Sequence, residues 1–495
     1  MSNFKPRLSF WQIINMNVGF FGIQYSFGLQ QSAVNPIYDF LGAKPDEIPW
    51  LNLAGPLTGL IIQPIIGALS DKTWHPRMGR RTPYFLVGAL ICSIALFLFP
   101  FSSALWMAAG LLWILDAGNN TAMEPYRAFV ADKLDSSQQA TGFQAQSFFT
   151  GFGQTLANVS LFIFPMIFVG TTGKLPTWVL ASFFLGAFCS VGSMLWSIKT
   201  TPEIAPSPEE LATIEAGNKG MPPKIVQFFL TIFTTLIAYT VILLLIIPSL
   251  FSKGLIKKVI CYTEEHKTLK VLFAQNIEII DAILTMPRVM WQLALVYLFQ
   301  WYALFCYWQN SSKSIALSVW KTTPEHDSKL YEQAVSWTGL VNGWYNVVTF
   351  LSAFVLVWFA KKYEAKFVHF ACLMLAGIGL LFFPSIENKY LLFLAITGFG
   401  IGWASMMGIP YMMVISGIPK ERYGVYMGII NMMIVIPMFI QTTSFGFILK
   451  HFLNNNAGNA IFFAGALLII ASLLTLLIKA KPAGEKVSTG FAGGH

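Results

Sequence analysis

Residues 104–132 read A-L-W-M-A-A-G-L-L-W-I-L-D-A-G-N-N-T-A-M-E-P-Y-R-A-F-V-A-D. The first twelve residues of this stretch carry no charge, whereas an Asp, two Asn, a Glu, an Arg and a second Asp follow. An uninterrupted apolar run is typical of a helix in a lipid bilayer, where charged side chains are costly unless they face a partner or a water-filled cavity. The stretch therefore predicts a membrane helix whose polar side faces the interior of a helix bundle.

The rest of the chain is similarly apolar. Of its 495 residues, 55% are hydrophobic and only 11% are charged, whereas soluble domains average roughly 25% charged residues. A helix needs about 20 apolar residues to cross a bilayer. About twelve runs meet that length, near 10–33, 48–70, 83–101, 104–131, 143–169, 176–198, 289–312, 334–360, 364–384, 389–416, 424–449 and 459–478. We therefore predict an all-α membrane protein with twelve transmembrane helices.

These twelve runs form two groups of six, an arrangement found in transporters that are built from repeats. A short internal sequence similarity supports a repeat, because Pro125-Tyr126 near the end of the fourth run corresponds to Pro410-Tyr411 near the end of the tenth. The predicted parts are an N-terminal half at 1–198, a cytoplasmic linker at 199–287, a C-terminal half at 288–480 and a flexible tail at 481–495.

The linker contains one further apolar stretch, residues 225–250, which is long enough to span. A thirteenth span would invert the second half and place basic loops on the extracellular side, against the usual charge bias. We therefore expect an interfacial, re-entrant or peripheral helix at 225–250 and a cytoplasmic amphipathic segment at 253–287.

Topology explains the net charge of +9. If the N-terminus is cytoplasmic, seven of the 32 basic residues lie in predicted extracellular loops: Lys44, Lys174, Lys313, Lys321, Lys329, Lys389 and Lys450. The other 25 lie on the cytoplasmic side or at its border, which is the bias expected of membrane proteins. We therefore expect cytoplasmic termini and no nucleic-acid partner.

The five Cys have no paired spacing, so we expect neither a metal site nor a cofactor. The chain has no P-loop or hydrolase motif that would indicate a pump or an enzyme.

The loop after the second run reads G-A-L-S-D-K-T-W-H-P-R-M-G-R-R-T-P-Y, residues 67–84. This order of a glycine, an Asp at a helix end and clustered basic residues resembles the gating loop of the major facilitator superfamily. Such a loop holds one gate state by ion pairs that break in the other state. The resemblance implies gating roles for Asp71, Arg77, Arg80, Arg81 and Asp132. The alternative is that the basic residues only set the topology.

Three stretches together resemble the sucrose/proton symporters and, more widely, the glycoside–pentoside–hexuronide:cation symporters. They are G-I-Q-Y-S-F-G-L-Q-Q-S-A-V-N-P (22–36), A-G-P-L-T-G-L-I-I-Q-P-I-I-G-A-L-S-D (54–71) and the polar stretch at 115–132. The resemblance implies a major facilitator fold and uptake of an α-glucoside disaccharide, such as sucrose or maltose, driven by a cation gradient.

Two positions depart from the pattern of that family. Glu124 stands where its plant members usually carry a small residue, and Gly59 and Gln63 stand where sodium-coupled relatives carry two acids. The second departure favours protons as the coupling ion. A sodium-coupled or uncoupled carrier is the alternative within transport, and a non-transporting sugar-sensing receptor is the alternative of a different class.

The polar residues of the fourth helix form one stripe. At 100° per residue, Asp116, Asn120, Glu124 and Arg127 fall within roughly 80° of arc, with Asn119 at its edge. Asp116 is near the midplane, where transporters bind their substrates. We predict Asp116 as the proton carrier, Glu124 as the second choice and Arg127 as the counter-charge. The alternative is a structural ion pair among Glu124, Arg127 and Asp132.

Sugar recognition needs amides for hydroxyl groups and flat aromatic rings for the pyranose face. The candidates come from helices one, four, five and eight: Asn17, Gln24, Gln31, Asn119, Asn120, Gln154, Asn158, Asn342, Trp344 and Asn346. The alternative is that these side chains only hold neighbouring helices together.

The expected partners are a sugar, protons and the bilayer. By analogy with the fold we expect a monomer, and the short loops favour a bacterial inner membrane.

Overall fold

The computed structural model describes residues 7–219, 221–251, 261–262, 265–266, 282–414 and 423–479. Six long helices form the N-terminal half: α1 (Phe10–Phe40), α3 (Ala54–Asp71, preceded by the single turn α2, Ile48–Leu51), α4 (Thr82–Leu98), α5 (Leu105–Lys133), α6 (Ser136–Ile167) and α7 (Thr177–Thr200). Six more form the C-terminal half: α10 (Arg288–Ile315), α11 (Ser328–Lys362), α12 (Ala365–Phe382), α13 (Leu392–Val414), α14 (Tyr423–His451) and α15 (Ala457–Thr475). The predicted twelve-helix fold class is confirmed.

The smaller elements lie in the connections between these helices. Strands β1 (Thr171–Thr172) and β2 (Leu175–Pro176) pair as an antiparallel ribbon between α6 and α7. Two three-residue 3₁₀ turns, Phe99–Phe101 and Phe383–Ser385, follow α4 and α12. A five-residue π-turn, Ala316–Trp320, continues α10.

Eight of the described helical segments are long and apolar enough to cross a membrane by length and composition. The other four long helices, α1, α5, α6 and α11, are more polar, and they carry most of the predicted site residues. Because a lipid-facing polar side chain has no hydrogen-bond partner, these helices must turn their polar sides toward protein.

The two halves repeat the same packing. In the first half α1 packs against α6 and α7, and α5 packs against α3 and α4. In the second half α10 packs against α14 and α15, and α13 packs against α11 and α12. The halves meet along α6 with α11, α3 with α14, and α1 with α10 and α11. Helix α1 is therefore the element that connects the inside of its own half to the opposite half.

Contact between α1 and α7 is closest at Gly22. A β-carbon added at this residue would lie 2.4 Å from the carbonyl oxygen of Cys189 and 2.5 Å from Oγ of Ser193. Glycine at this position thus allows two helix backbones to approach closely, as small residues do in other membrane bundles.

The linker after α7 holds the N-terminus of α4. The Glu203 carboxylate accepts hydrogen bonds from the backbone N–H of Arg80 (2.9 Å), Arg81 (2.8 Å) and Thr82 (2.7 Å), and from the Thr82 hydroxyl (2.8 Å). A helix N-terminus has N–H groups without intrahelical partners, and an acidic side chain there satisfies both the donors and the helix dipole. Glu203 therefore acts as a cap supplied from 121 to 123 residues further along the chain.

Two linker helices follow, α8 (Pro208–Asn218) and α9 (Lys224–Phe251). Helix α9 coincides with the apolar stretch 225–250, packs against α3 and exposes Ile225, Phe229 and Phe233. The side chains of Asn218 and Lys224 both donate to the carbonyl oxygen of Lys72 (2.8 and 3.0 Å). Whether α9 crosses the bilayer stays a prediction. Most of 253–287 and the whole of 481–495 lie outside the described residues.

We predict that Gly22→Ala lowers the stability of the protein by about 1–3 kcal/mol, because a methyl group forces α1 away from α7. Gly110→Ala in α5 is the matched control, since nothing lies within 4 Å of its added β-carbon, and alanine gains about 0.5–1 kcal/mol over glycine inside a helix. Thermal unfolding of the purified protein in detergent measures both. Equal melting temperatures for the two variants would contradict the close approach.

We also predict that Glu203→Ala lowers stability by about 1–2 kcal/mol, the cost of losing a helix cap. The control is Glu209→Ala in the exposed first turn of α8, which should stay within about 0.5 kcal/mol of the intact protein. Thermal unfolding in detergent compares the stability of the two variants. A Glu203 variant as stable as the control would show that water replaces the cap at no cost.

Candidate functional site

Asp116 lies in the middle of α5 and is buried, with 5% of its surface exposed. Nε2 of Gln30 on α1 donates to its Oδ1 over 2.8 Å. The Oε1 of the same Gln30 accepts from Nδ2 of Asn119 (3.3 Å), which also donates to Oγ of Ser26 (3.0 Å). The hydrogen-bond partner of this carboxylate is thus an amide, and no cation is paired with it in the described part of the chain. Gln30 was not among the candidates predicted from the sequence, although it precedes the predicted Gln31.

Asn120 faces α3 instead of α1. Its Nδ2 donates to Oγ1 of Thr58 (2.9 Å), and its Oδ1 accepts from Nε2 of Gln63. The two neighbouring asparagines therefore join α5 to two different helices. Gln63 is one of the two residues that replace the acids of sodium-coupled relatives, and here it makes an amide pair with Asn120.

Glu124 and Arg127 form an ion pair with 3.1 Å between Oε1 and Nη1, and their side chains are 26% and 43% exposed. Within the polar stripe, Glu124 and Arg127 are thus more exposed than Asp116. Asp132 does not contact this pair. The sequence alternative, an ion pair among Glu124, Arg127 and Asp132, therefore does not form as a single cluster. The negative charge of Glu124 is balanced within its own helix.

Asp132 belongs to the gating cluster predicted from the loop. Nε of Arg81 lies 2.9 Å from Oδ2 of Asp132, and Nη2 of the same guanidinium pairs with Oδ1 of Asp71. Nη1 donates to Oγ of Ser70 (2.7 Å). Burial alone would lower the pKa of Arg81, but Asp132 and Asp71 outweigh it, so the pKa is raised and the side chain stays charged. Arg81 therefore ties the ends of α3, α4 and α5 together.

The other two predicted gating residues take no part in this cluster. Arg77 is exposed, and its backbone N–H donates to Nδ1 of His75. Arg80 is half-buried and lines a small pocket beside Glu203 and Glu210. A basic residue in this loop is therefore not automatically a member of the ion-pair network.

The amides of α1 and α6 form one cross-helix pair, in which Nε2 of Gln154 donates to Oε1 of Gln24 (2.9 Å). Asn17 and Asn158 donate to carbonyl oxygens of their own helices, at Ile13 (2.7 Å) and Gln154 (2.8 Å). Their Oδ1 atoms are buried without a hydrogen-bond partner, and an unpaired buried acceptor is a place where a donor from a ligand or water can bind. Gln31 is half-buried.

On α11 the predicted residues separate onto two sides. Asn342 accepts from the Tyr307 hydroxyl (2.8 Å) and donates to Oγ of Ser32 across the two halves (2.9 Å), and Asn346 donates to the Asn342 carbonyl (2.9 Å). Trp344 is 42% exposed and donates to Oγ1 of Thr397 on α13. Because Trp344 points about 200° around the helix from Asn342, the structure does not bring it to the polar cluster.

The C-terminal half contains polar and aromatic groups that the sequence alone did not single out. Gln309 and Gln441 form a reciprocal amide pair between α10 and α14 (3.2 and 2.8 Å), and both are buried. Trp308, the preceding residue on α10, lies edge to face with Trp403 of α13, with ring centroids 5.5 Å apart. The sequence did contain a signal for a polar site here, because Gln309 and Asn310 interrupt an uncharged run.

Two further titratable side chains are buried in the C-terminal half. His369, near the start of α12, is fully buried, with its ring nitrogens 2.6 Å from Oγ of Ser405 and 3.3 Å from Oε1 of Gln300. Lys313 was expected in an extracellular loop, but α10 extends past it and its Nζ lies 3.1 Å from Oδ1 of Asp39. That expectation for Lys313 was wrong, because the run 289–312 underestimates the helix.

Several proteins of known function are similar to parts of this chain. The sucrose transport protein SUT5 of Oryza sativa subsp. indica is 35% identical over 133 residues, which cover 22% of this chain and 25% of that protein. The sucrose transport protein SUC3 of Arabidopsis thaliana is 32% identical over 142 residues, 24% of each chain. The general alpha-glucoside permease of Schizosaccharomyces pombe is 27% identical over 238 residues, 44% of this chain and 39% of the permease. This chain thus spans about a quarter of the length of the plant relatives that it matches.

Solved structures share the fold over nearly the whole chain. A partially occluded, inward-open xylose transporter XylE from E. coli aligns over 97% of this chain and 99% of its own, with a TM-score of 0.61 and 14% identity. The nucleoside transporter NupG aligns over 94% of this chain and 100% of its own, with a TM-score of 0.60 and 12% identity. At such identities the likeness shows the fold alone.

The sequence profile of the Major Facilitator Superfamily matches residues 16–442. That range includes the gating loop, the polar stripe of α5 and most of both halves. The chain is a multi-pass integral membrane protein and belongs to the Major Facilitator Superfamily.

Proposed function

We propose that this protein is a proton-coupled symporter that imports a sugar by alternating access, with an α-glucoside disaccharide such as sucrose or maltose as the substrate. The observation that carries the proposal is the environment of Asp116. It is a buried carboxylate in the middle of the bundle whose hydrogen-bond donor is the amide of Gln30. Four other carboxylates described on α1, α3 and α5 each pair with a cation: Asp39, Asp71, Glu124 and Asp132.

A carboxylate in this setting suits proton coupling. An unpaired buried anion is unfavourable, whereas the same group is readily ionised when water or a polar ligand reaches it. A change of water access during the transport cycle therefore changes its proton occupancy. A paired carboxylate such as Asp39 already has its charge balanced and responds less to the same change.

The surrounding amides support a sugar as the substrate. Gln24 and Gln154 in the first half, and Gln309 and Gln441 in the second, can each exchange an amide–amide bond for bonds to sugar hydroxyls. Trp308 and Trp403 supply flat apolar faces near the second pair. The printed names of the three partial relatives, two sucrose transport proteins and an alpha-glucoside permease, point to the same class of substrate.

Two alternatives predict different observations. A sodium-coupled or uncoupled carrier would take up sugar independently of a pH gradient, and Gln63 beside Asn120 speaks against a second acid for sodium. A receptor would bind sugar without net uptake. We place the protein in a bacterial inner membrane with both termini in the cytoplasm, and this proposal rests on the short loops. The partial relatives come from plants and yeast and do not support a bacterial source.

The deciding experiment is uptake of radiolabelled sucrose and maltose into proteoliposomes with an inward proton gradient. We predict that Asp116→Asn abolishes accumulation above the external concentration but keeps sugar exchange, because the amide retains the hydrogen bond to Gln30 and cannot carry a proton. Glu47→Gln, an exposed extracellular carboxylate, is the control and should accumulate sugar as the intact protein does.

Three outcomes oppose the proposal. Accumulation by the Asp116 variant would remove this residue as the proton carrier. Uptake by the intact protein that ignores the proton gradient would favour the sodium-coupled or uncoupled carrier. Binding of sugar without any uptake would favour the receptor.

A second prediction concerns the amide pair between α1 and α6. Gln24→Leu should raise the KM for the transported sugar about tenfold, equivalent to about 1.4 kcal/mol, the size of one or two net hydrogen bonds. The dependence on the proton gradient should not change. Gln227→Leu in α9, whose side chain bonds only to the nearby Pro222 carbonyl, should leave KM unaltered. If both variants behave alike, Gln24 has no contact with the sugar.

A further inference from the structure

A second buried charge pair joins the two halves at their extracellular side. Asp39 lies in the last turn of α1, whereas Lys313 lies in the last turn of α10 and Tyr331 in the first turn of α11. Nζ of Lys313 is 3.1 Å from Oδ1 of Asp39, and the Tyr331 hydroxyl donates to Oδ2. We call these three residues the extracellular latch.

The latch is sealed from solvent. The side chains of Lys313 and Asp39 are 8% and 3% exposed, and Tyr331 is fully buried with its ring edge against Phe40. Both oxygens of the carboxylate are therefore occupied by groups from the opposite half. The pair differs from Lys321–Glu387, which is exposed and lies within the C-terminal half.

Stability alone does not account for such a pair. Removing two charges from water costs as much as their attraction returns, so well-packed apolar residues of similar size would hold the halves together equally well. Charges differ from apolar residues in what happens on separation, because each of them regains its water when the interface opens. A buried ion pair between two moving halves can therefore stabilise the closed state without a large free-energy cost of opening.

Neighbouring contacts continue the same closed layer. Nδ2 of Asn35 on α1 donates to the carbonyl oxygen of Trp308 on α10 (3.3 Å). Seven residues before Asp39, Oγ of Ser32 accepts from Asn342 (2.9 Å), about 10 Å deeper at 1.5 Å per residue. All of these contacts cross between the halves and would have to break together.

An ion pair on the opposite side of Asp116 is more exposed than the latch. Arg127, near the cytoplasmic end of α5, has 43% of its side chain exposed. Gln30, the partner of Asp116, lies nine residues before Asp39 on the same helix, about 13 Å away along its axis. The carboxylate thus has a closed extracellular layer above it and a more exposed ion pair below it.

We propose that Asp39, Lys313 and Tyr331 form the extracellular gate of the transport cycle, a latch that holds this side shut in the inward-facing state and separates when the site turns outward. This inference rests on the proposed alternating access. Opening moves Lys313 and Tyr331 away with the C-terminal half, and Asp39 stays with α1.

The test measures access from outside and needs no sugar. A Ser32→Cys reporter lies beneath the latch, and a membrane-impermeant maleimide is added to right-side-out vesicles. We expect labelling at least about ten times faster in Asp39→Asn and in Lys313→Gln than with the latch intact, a shift of about 1.4 kcal/mol toward the outward-open state. Lys321→Gln, which removes the exposed pair within one half, is the matched control and should label at the intact rate.

Two further variants keep the test decisive if a single substitution misfolds. The exchanged pair Asp39→Lys with Lys313→Asp should return labelling close to the intact rate, because the attraction is restored. Tyr331→Phe, which keeps the ring contact and removes only the hydroxyl, should give a smaller rise. The protein without the reporter is the blank, and its labelling is subtracted, because Cys92, Cys306 and Cys372 are buried, Cys189 is half-buried in α7 and Cys261 lies in the predicted cytoplasmic linker.

Unchanged labelling in the single variants, with an exposed Trp50→Cys reporter labelling normally, would overturn the latch. A rise in the single variants that the exchanged pair does not reverse would also overturn it, because packing rather than charge would then close the gate. The outcome is separable from the proposed function: altered labelling without sugar uptake would contradict sugar import only, whereas normal uptake with unaltered labelling would contradict the latch only.

Discussion

The hydrocarbon core of a bilayer contains no hydrogen-bond partners, so every polar group at that depth must find one within the protein. This constraint explains why the four more polar helices lie where they do. The polar side chains of α1, α5, α6 and α11 bond mainly to one another or to α3 and α10, and the closest packing of α1 relies on Gly22. In the described part of the chain, the polar interior that results offers the proposed sugar hydrogen-bond partners.

Charged groups along this interior differ in how they are balanced. Arg81 lies between two carboxylates at one end of the bundle, where α3 ends and α4 begins. Asp39 is neutralised by Lys313 at the opposite end, where α1 ends. Asp116 lies between these two levels and has an amide for a partner. Balanced charges at the two ends suit gates, whose contacts must form and separate. The unbalanced carboxylate in the middle suits a group that gains and loses a proton.

The repeated architecture does not carry repeated chemistry. Helices α5 and α13 occupy equivalent positions and share a Pro-Tyr pair, yet Glu124 and Arg127 correspond to Ile409 and Met412. The C-terminal half instead presents the amides of Gln309 and Gln441. In the proposed mechanism the ion is therefore handled by the first half, and the sugar is held between both.

The sequence by itself determined the number and order of the helices, because span length and hydropathy are local properties of the chain. It also singled out Asp116, Asp71 and Arg81 as candidates for coupling and gating, since these stand in motifs of fixed local spacing. Only the tertiary structure decided which polar groups meet. Asp39 and Lys313 are 274 residues apart, and both lie outside the predicted runs 10–33 and 289–312. Asp132 pairs with Arg81 rather than with Arg127 on its own helix. Pairing of this kind depends on how helices are arranged around one another, and helical periodicity fixes the direction of a side chain without fixing what it faces.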